Sequence, residues 1–281
     1  MNVWIADAGG TKTSWLNQSG ELLEGPGINP NTLTEDAIAQ RLPESVRCSA
    51  STLYFYGAGC SSNSGKIRVE NALRKSISSL QHLEINHDIL GACRALCGTN
   101  SGIAAILGTG SNSALYNGKH IIQTVASPGH LFADEGGGTW LGKRLLLAYF
   151  RGDFSADLLQ HWNANYPEWN CDSLIQFAYS KEASPAWFAS FVPFLRTYAF
   201  DFPEVKKLIL QGFQAFVEQH LKRYNFENPL PVHATGSVGF YFQDFLQEVL
   251  HQHGFELGLV VRRPIEGLAF FHGIQLSQPH G

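Results

Sequence analysis

The chain has no excess of positive charge: 20 Lys and Arg stand against 24 Asp and Glu, for a net charge of −4. That balance excludes the broad basic surface on which nucleic-acid binding rests. Charged residues make up only 16% of the chain, too few for a charged coiled coil or a disordered segment. No apolar run approaches the roughly 20 residues needed to cross a bilayer, and the opening MNVWIAD has neither the basic start nor the apolar core of a secretory signal. The five cysteines (Cys48, Cys60, Cys93, Cys97, Cys171) are odd in number and include no CxxC pair. A soluble, cytoplasmic protein with reduced thiols is expected, without membrane or nucleic acid as partner. Eleven His residues lack HExxH or comparable ligand spacing, so even His87 and His130, which adjoin the segments singled out below, are expected to be solvated or core side chains.

What is abundant is apolar and flexible. The 281 residues are 44% hydrophobic, with 28 Gly and 12% aromatics, enough for one large domain or two modest ones. A supersecondary unit occurs twice. Val3–Asp7 is a short apolar run stopped by Gly9 and Gly10, with a second strand and a turn behind it. Residues 102–107 (GIAAIL) run into Gly108-Thr109-Gly110-Ser111, a second strand and an Asn117-Gly118 turn. Two copies predict two similarly folded halves with the ligand site in the cleft between them. Leu53–Gly57 and Leu83–Asp88 read as further strands, with helices expected from about Gly65 to Ser79 and from Ile89 to Leu96, the latter closed by Gly98. Asp153–Tyr224 reads as aromatic-rich helices, whose rings suit a core or a subunit interface. A strand, a Gly-Ser turn and a helix follow from Pro231 to Leu250, then a last strand and a last helix over Pro264–Leu276.

The glycine turns are where chemistry is expected. In DAGGTKT (residues 7–13), residues without a Cβ let successive backbone N–H groups approach phosphate oxygens, and Thr hydroxyls add donors. A strand-end carboxylate such as Asp7 suits Mg2+ held through water. An ordinary hairpin would also explain the motif, which is neither a Walker A loop nor a GxGxxG fingerprint. Residues 107–112 (LGTGSN) and 234–239 (ATGSVG) share this logic, and the three together carry more than any one.

Those three segments resemble the phosphate 1, phosphate 2 and adenosine motifs of the sugar kinase, hsp70 and actin superfamily. Within it the chain looks like the N-acetylglucosamine kinases and BadF/BadG-type ATPases, since residues 127–142 (SPGHLFADEGGGTWLG) resemble their GGWGxxxGDEGS segment. The resemblance spans nearly the whole chain. It implies an α/β fold of two ribonuclease-H-like domains with an interdomain cleft, as in actin and hexokinase. Residues 1–98 would form the first domain and residues 99–281 the second, with the last helix free to pack back on the first. It implies ATP and Mg2+ as cofactors and a small sugar as substrate, bound in the cleft, whose closure excludes water. A homodimer fits the aromatic helices.

The resemblance also implies roles. Asp7 would organise Mg2+; Gly9, Gly10, Thr11 and Thr13 would contact the γ-phosphate side, with Lys12 at a variable position. Gly108, Thr109, Gly110 and Ser111 would face the phosphates, and Gly236 with Ser237 would border adenosine. Asn29, with Asn31 as its near rival, would contact sugar, as would Asn112 and Asp134, while Gly129 and Gly138 shape the pocket. Asp88 would be the general base for the attacking hydroxyl and so also touch the sugar. An Asp before an apolar helix is equally an N-cap, and Asp134-Glu135 could simply suit the start of the following helix.

The pattern departs at Pro128, where the family has Trp, and at Gly137, where it has Ser. N-acetylglucosamine, converted to its 6-phosphate, therefore shares the field with glucosamine, N-acetylmuramic acid and other hexoses. Two further readings belong to other classes. One is an ATPase activator of a dehydratase holding an iron-sulfur cluster, for which Cys93 and Cys97 share a helix face. The other is a non-catalytic sugar or nucleotide sensor, which would need neither Asp7 nor Asp88.

Overall fold

A computed structural model describes residues 2–226 and 228–274. The chain begins β1 (Val3–Ala8), β2 (Lys12–Asn17), β3 (Leu22–Pro26), α1 (Glu35–Gln40), α2 (Glu44–Ser49), β4 (Thr52–Gly57), α3 (Asn63–Ser76), β5 (His82–His87) and α4 (Asp88–Cys97). Then come β6 (Ser101–Leu107), β7 (Ser111–Asn117), β8 (Ile121–Thr124), α5 (Gly138–Arg151), α6 (Ala156–Asn165), α7 (Cys171–Ala178), α8 (Pro185–Ala189), α9 (Val192–Tyr198) and α10 (Pro203–Gln219). It closes with β9 (Val232–Thr235), α11 (Ser237–Tyr241), α12 (Gln243–Gln252), β10 (Leu257–Val261) and α13 (Ile265–Phe271). The end of the last helix expected from the sequence lies outside the described residues. Among the described residues no helix is long and apolar enough to cross a membrane.

Two five-stranded sheets organise these elements, in the orders β3-β2-β1-β4-β5 and β10-β9-β6-β7-β8. In the first, β1 pairs antiparallel with β2, β2 antiparallel with β3, and β1, β4 and β5 run parallel. Strand β1 is buried on both faces, which is why it reads as an unbroken apolar run rather than an alternation. Trp4, Ala6 and Ala8 pack with Trp15, Phe55, Ile38, Val69 and Leu73 on one face. Ile5, Leu16 and Tyr56 pack against Ile265, Leu268 and Ala269 of α13 on the other. Each such large apolar side chain contributes on the order of 2 kcal/mol on burial.

The chain divides into two compact units that are not the contiguous 1–98 and 99–281 expected. The first holds the chain up to Ala104, residues 114–123 and the chain from Arg263 on; the second holds 105–113 and 124–262. The physical reason for the return is the apolar face of α13, which the Ile5, Leu16 and Tyr56 surface needs as cover. In the second unit Trp162 is fully buried, with the rings of Tyr166, Tyr149 and Phe194 centred 4.6, 4.9 and 5.4 Å away. Phe213, Phe216 and Val217 of α10 are also buried, so these aromatics are core, while Tyr179 and Phe200 stay exposed.

A polar network ties α13 to the first sheet. Tyr56 Oη lies 2.7 Å from His272 Nε2 and accepts from Arg94 Nη1 at 2.6 Å, while Arg94 also pairs with Glu84 at 2.7 Å. Burial holds the His272 imidazole down to about 4. A histidine kept neutral in the fold contributes stability that is present above its unfolded pKa, near 6.5, and is lost as pH falls through that value toward 4. Urea unfolding at pH 5 rather than 7.5 should therefore show a stability loss of about 1 kcal/mol, roughly half the full linkage because His272 is partly exposed. His272→Gln, which keeps a hydrogen bond to Tyr56 but cannot titrate, should remove that part of the loss.

Candidate functional site

Three parallel strands end together in the first unit. Ala8 of β1 lies opposite Gly57 of β4, and Gly57 opposite His87 of β5, so Asp7 is one residue before that edge and Asp88 one residue past it. The carboxyl ends of parallel strands are where open α/β sheets bind ligands. Both carboxylates are half-buried. Burial pushes the Asp7 carboxyl up to about 7, helped by the charge of Asp88 and opposed by Lys12. Burial also raises Asp88, against the Ile89 N–H that donates to its Oδ1 at 2.8 Å. The cap of α4 is His87, with φ −77° and ψ 153°, and Asp88 is the first helical residue. Asp88 is therefore not the N-cap that its position before an apolar helix suggested.

The phosphate 1 turn is closed by the Gly9 N–H donating to Lys12 O at 2.9 Å. Gly10 is exposed with open space where a Cβ would stand, and Thr11 is exposed. Two expected phosphate contacts are turned elsewhere. The Thr13 hydroxyl is fully buried and donates to Pro26 O at 3.1 Å, so it holds β2 to β3 and has no surface to offer a nucleotide. Lys12 Nζ lies 3.9 Å from Glu24, a carboxylate that also pairs with Arg263 at 2.9 Å. Gly27, which sequence reasoning missed, lies against this turn: its N–H donates to Thr11 O at 3.0 Å, and a Cβ there would be 2.4 Å from Gly10 O.

Asn29 sits at the same sheet edge. Its Oδ1 accepts from the Asn31 N–H at 2.9 Å, and it lies so close to Gly59, just past β4, that a Cβ on Gly59 would be 2.4 Å from that oxygen. Gly59 was also missed, although a glycine soon after a strand is a local signal. The structure thus brings Asp7, Asp88 and the Asn29–Asn31 loop together in the first unit.

In the second unit the other two glycine turns touch. Gly236, at φ 105°, lies so close to Leu107 that a Cβ would be 2.4 Å from Leu107 O; Ser237 beside it is exposed. Gly108 is open to its surroundings. Inside the described residues the hydroxyls of Ser111 and Thr235 are buried without a protein hydrogen-bond partner. Orphaned buried hydroxyls beside two glycine turns call for a polar partner that the protein itself does not supply.

The start of α5 is fastened to the phosphate 2 turn. Gly138 N–H donates to Gly108 O and Thr139 N–H to Thr109 O, each at 2.8 Å. Gly138 is itself buried, and a Cβ there would be 3.0 Å from Ala189 Cβ. Its smallness serves this packing rather than a pocket wall. Asp134, 8% exposed, is the single non-glycine residue with positive φ, 71°, among the described residues. Such a conformation costs on the order of 1–3 kcal/mol and is a pointer to function. Its Oδ1 accepts from the Ser111 N–H at 3.2 Å, an approach that Gly110 permits, since a Cβ there would be 2.8 Å from the carboxylate. Burial raises the Asp134 carboxyl. Asn112 Oδ1 accepts from Ser113 N–H at 2.8 Å. Gly129, at φ 87°, begins a turn whose Phe132 and Ala133 N–H groups donate to its carbonyl, and Pro128 before it is exposed.

Cys93 and Cys97 are buried in α4, at 0% and 5% exposure, with both thiols pushed up by burial. An iron-sulfur cluster shared between subunits needs accessible thiolates, which these are not. Among the described residues no three His, Cys, Asp or Glu side chains gather as a metal site, His87 and His130 included.

No protein-family model matches the chain, and no curated protein sequence matches it. Solved structures do. The "Putative N-acetylglucosamine Kinase" from Porphyromonas gingivalis is 32% identical over 96% of this chain and 98% of its own, with a TM-score of 0.88. The "Putative N-acetylglucosamine Kinase" from Chromobacterium violaceum is 20% identical over the same shares, with a TM-score of 0.70. A ROK family glucokinase from Streptomyces griseus, solved with glucose and AMPPNP, covers 96% of this chain and 98% of its own at 11% identity and a TM-score of 0.54. The last two share the fold, the two-domain α/β architecture of actin-like ATPases. The first, 32% identical over nearly the whole chain, identifies it as a member of the N-acetylglucosamine kinase family of ATP-dependent sugar kinases.

Proposed function

We propose that this protein phosphorylates an amino sugar with ATP, taking N-acetylglucosamine to its 6-phosphate, and that Asp88 is the general base. The observation that carries this reading is the pair of raised carboxylates at one sheet edge, with Asn29 beside them. Asp88, made more basic by burial, accepts the proton of the sugar hydroxyl as its oxygen forms the new bond to the γ-phosphorus; the bond to ADP breaks and ADP keeps the electron pair. Asp7 fits an Mg2+ ion held through water: it is a half-buried carboxylate next to a second one, and a cation offsets the burial and the Asp88 charge that together lift its pKa. When bound, Mg2+ neutralises charge on the phosphates. In the first unit Gly9, Gly10 and Thr11 serve the phosphates; in the second, Gly108, Thr109, Gly110, Gly236 and Ser237 serve the nucleotide, while the Ser111 amide is held by Asp134. In the first unit Asn29 and Asn31 serve the sugar; in the second Asn112 and Asp134 do, with Gly129 in the loop that leads to Asp134.

Pro128, exposed where relatives have Trp, favours keeping glucosamine, N-acetylmuramic acid and other hexoses as second candidates. The test is ADP formation with Mg2+ and ATP across a panel of these sugars. N-acetylglucosamine should stimulate it most; a panel in which no sugar stimulates ADP formation overturns the kinase reading.

A further inference from the structure

Beside Asp134 runs a polar chain that the mechanism above does not use. Glu135 Oε2 lies 3.7 Å from His220 Nε2, His220 Nδ1 lies 3.1 Å from Ser113 Oγ, and Ser113 Oγ lies 2.6 Å from Tyr224 Oη. His220 is 1% exposed and Ser113 fully buried, and the Phe216 ring stacks on the imidazole at 4.8 Å. Across 3.7 Å the Glu135 carboxylate acts on the imidazole electrostatically and favours the tautomer with its hydrogen on Nε2; in that tautomer Nδ1 accepts from the Ser113 hydroxyl, which in turn accepts from Tyr224. Burial keeps the imidazole below its ordinary pKa, although Glu135 pulls the other way. The order Ser, His, Glu resembles a hydrolytic triad, but a serine without accessible surface is no nucleophile.

The placement explains what the chain is for. Ser113 and Ser111 are two residues apart on β7 and so face the same side, and the Ser111 N–H holds Asp134 Oδ1. One strand therefore grips two successive residues, Asp134 through a backbone amide and Glu135 through Ser113 and His220. A non-glycine residue in the left-handed region persists only where its surroundings over-determine it, and this double grip does so.

We propose that His220 is a positioning residue for the Asp134 carboxylate, holding Glu135 so that Asp134 keeps its left-handed conformation and its place against the phosphate 2 turn. The proposal rests on the reading of Asp134 as a sugar contact. His220→Phe keeps the stack on Phe216 and deletes both nitrogens; His220→Gln retains one donor and one acceptor. The Phe variant should raise KM for the sugar at least tenfold, leave KM for ATP within twofold, and speed hydrogen exchange at the Ser111 amide at least tenfold. The Gln variant should recover most of each loss. Glu135→Ala should match His220→Phe, and the double variant should be no worse than either. Should His220→Phe not fold, Glu135→Ala, at a half-buried position, carries the same readouts. Unchanged exchange at Ser111, both KM values rising together, or effects of the two substitutions that multiply would overturn the proposal. Asp134→Asn separates the two failures. If it leaves the sugar KM unchanged, the sugar-contact reading falls and exchange at Ser111 alone decides the role of His220. If it raises that KM while His220→Phe does not, only the positioning role falls.

Discussion

Asp88→Asn should lower kcat for sugar-stimulated ADP formation by about 100- to 10,000-fold, the range typical of losing a general base. The fold should survive the change. Asn retains an Oδ1 for the Ile89 N–H that Asp88 now engages, and α4 keeps its His87 cap, so thermal unfolding should move little. Nucleotide binding should hold or tighten, because Asp88 is one of the charges raising Asp7 and its removal leaves Asp7 more readily ionised. Loss of turnover with intact nucleotide affinity is the signature of a base. A kcat within threefold of wild type would return Asp88 to the role of an ordinary helix-opening residue.

The second large effect is structural. Gly142 is buried in the middle of α5, and a Cβ there would stand 1.8 Å from Phe188 O and 2.7 Å from Phe188 C. Both are backbone atoms of α8, so no rotamer change relieves the clash. Gly142→Ala gains up to about 1 kcal/mol of helix propensity, yet forcing the two helices apart costs more, of order 3 kcal/mol. The net loss should lower the unfolding temperature of the second unit by several degrees. It should also reach the 108–111 turn, because the single hydroxyl proton of Thr139 is shared between Thr109 O at 2.9 Å and Pro185 O at 3.1 Å. A variant that melts with the wild type would mean that α5 and α8 have more freedom than their spacing implies. Calorimetry of the two proteins decides it.

The glycine turns were legible because their signal is local: an apolar strand halted by residues that permit tight backbone approach. The helices were legible for the same reason, though α3 starts at Asn63, where Ser62 caps it, rather than near Gly65. What the sequence hid is set by partners distant along the chain. Thr13 looks like any phosphate-loop threonine until its hydroxyl is found donating to Pro26 O. Nothing local marks His220 as a neighbour of Glu135, 85 positions earlier, since one histidine at the C-terminal cap of an amphipathic helix carries no periodic signal. The left-handed Asp134 was equally invisible, because its conformation is imposed by Ser111 and the residues around it.

The cover that α13 provides for Ile5, Leu16 and Tyr56 has a consequence for biosynthesis. The strands of the first sheet leave the ribosome more than 150 residues before the helix that completes their core, as counted from β5 to α13. At typical elongation rates of about 5–20 residues per second, one apolar face of that sheet waits on the order of ten seconds for its partner. During that interval the nascent chain presents Ile5 and Leu16 to holdase chaperones, and the second unit, whose residues intervene, is free to fold first.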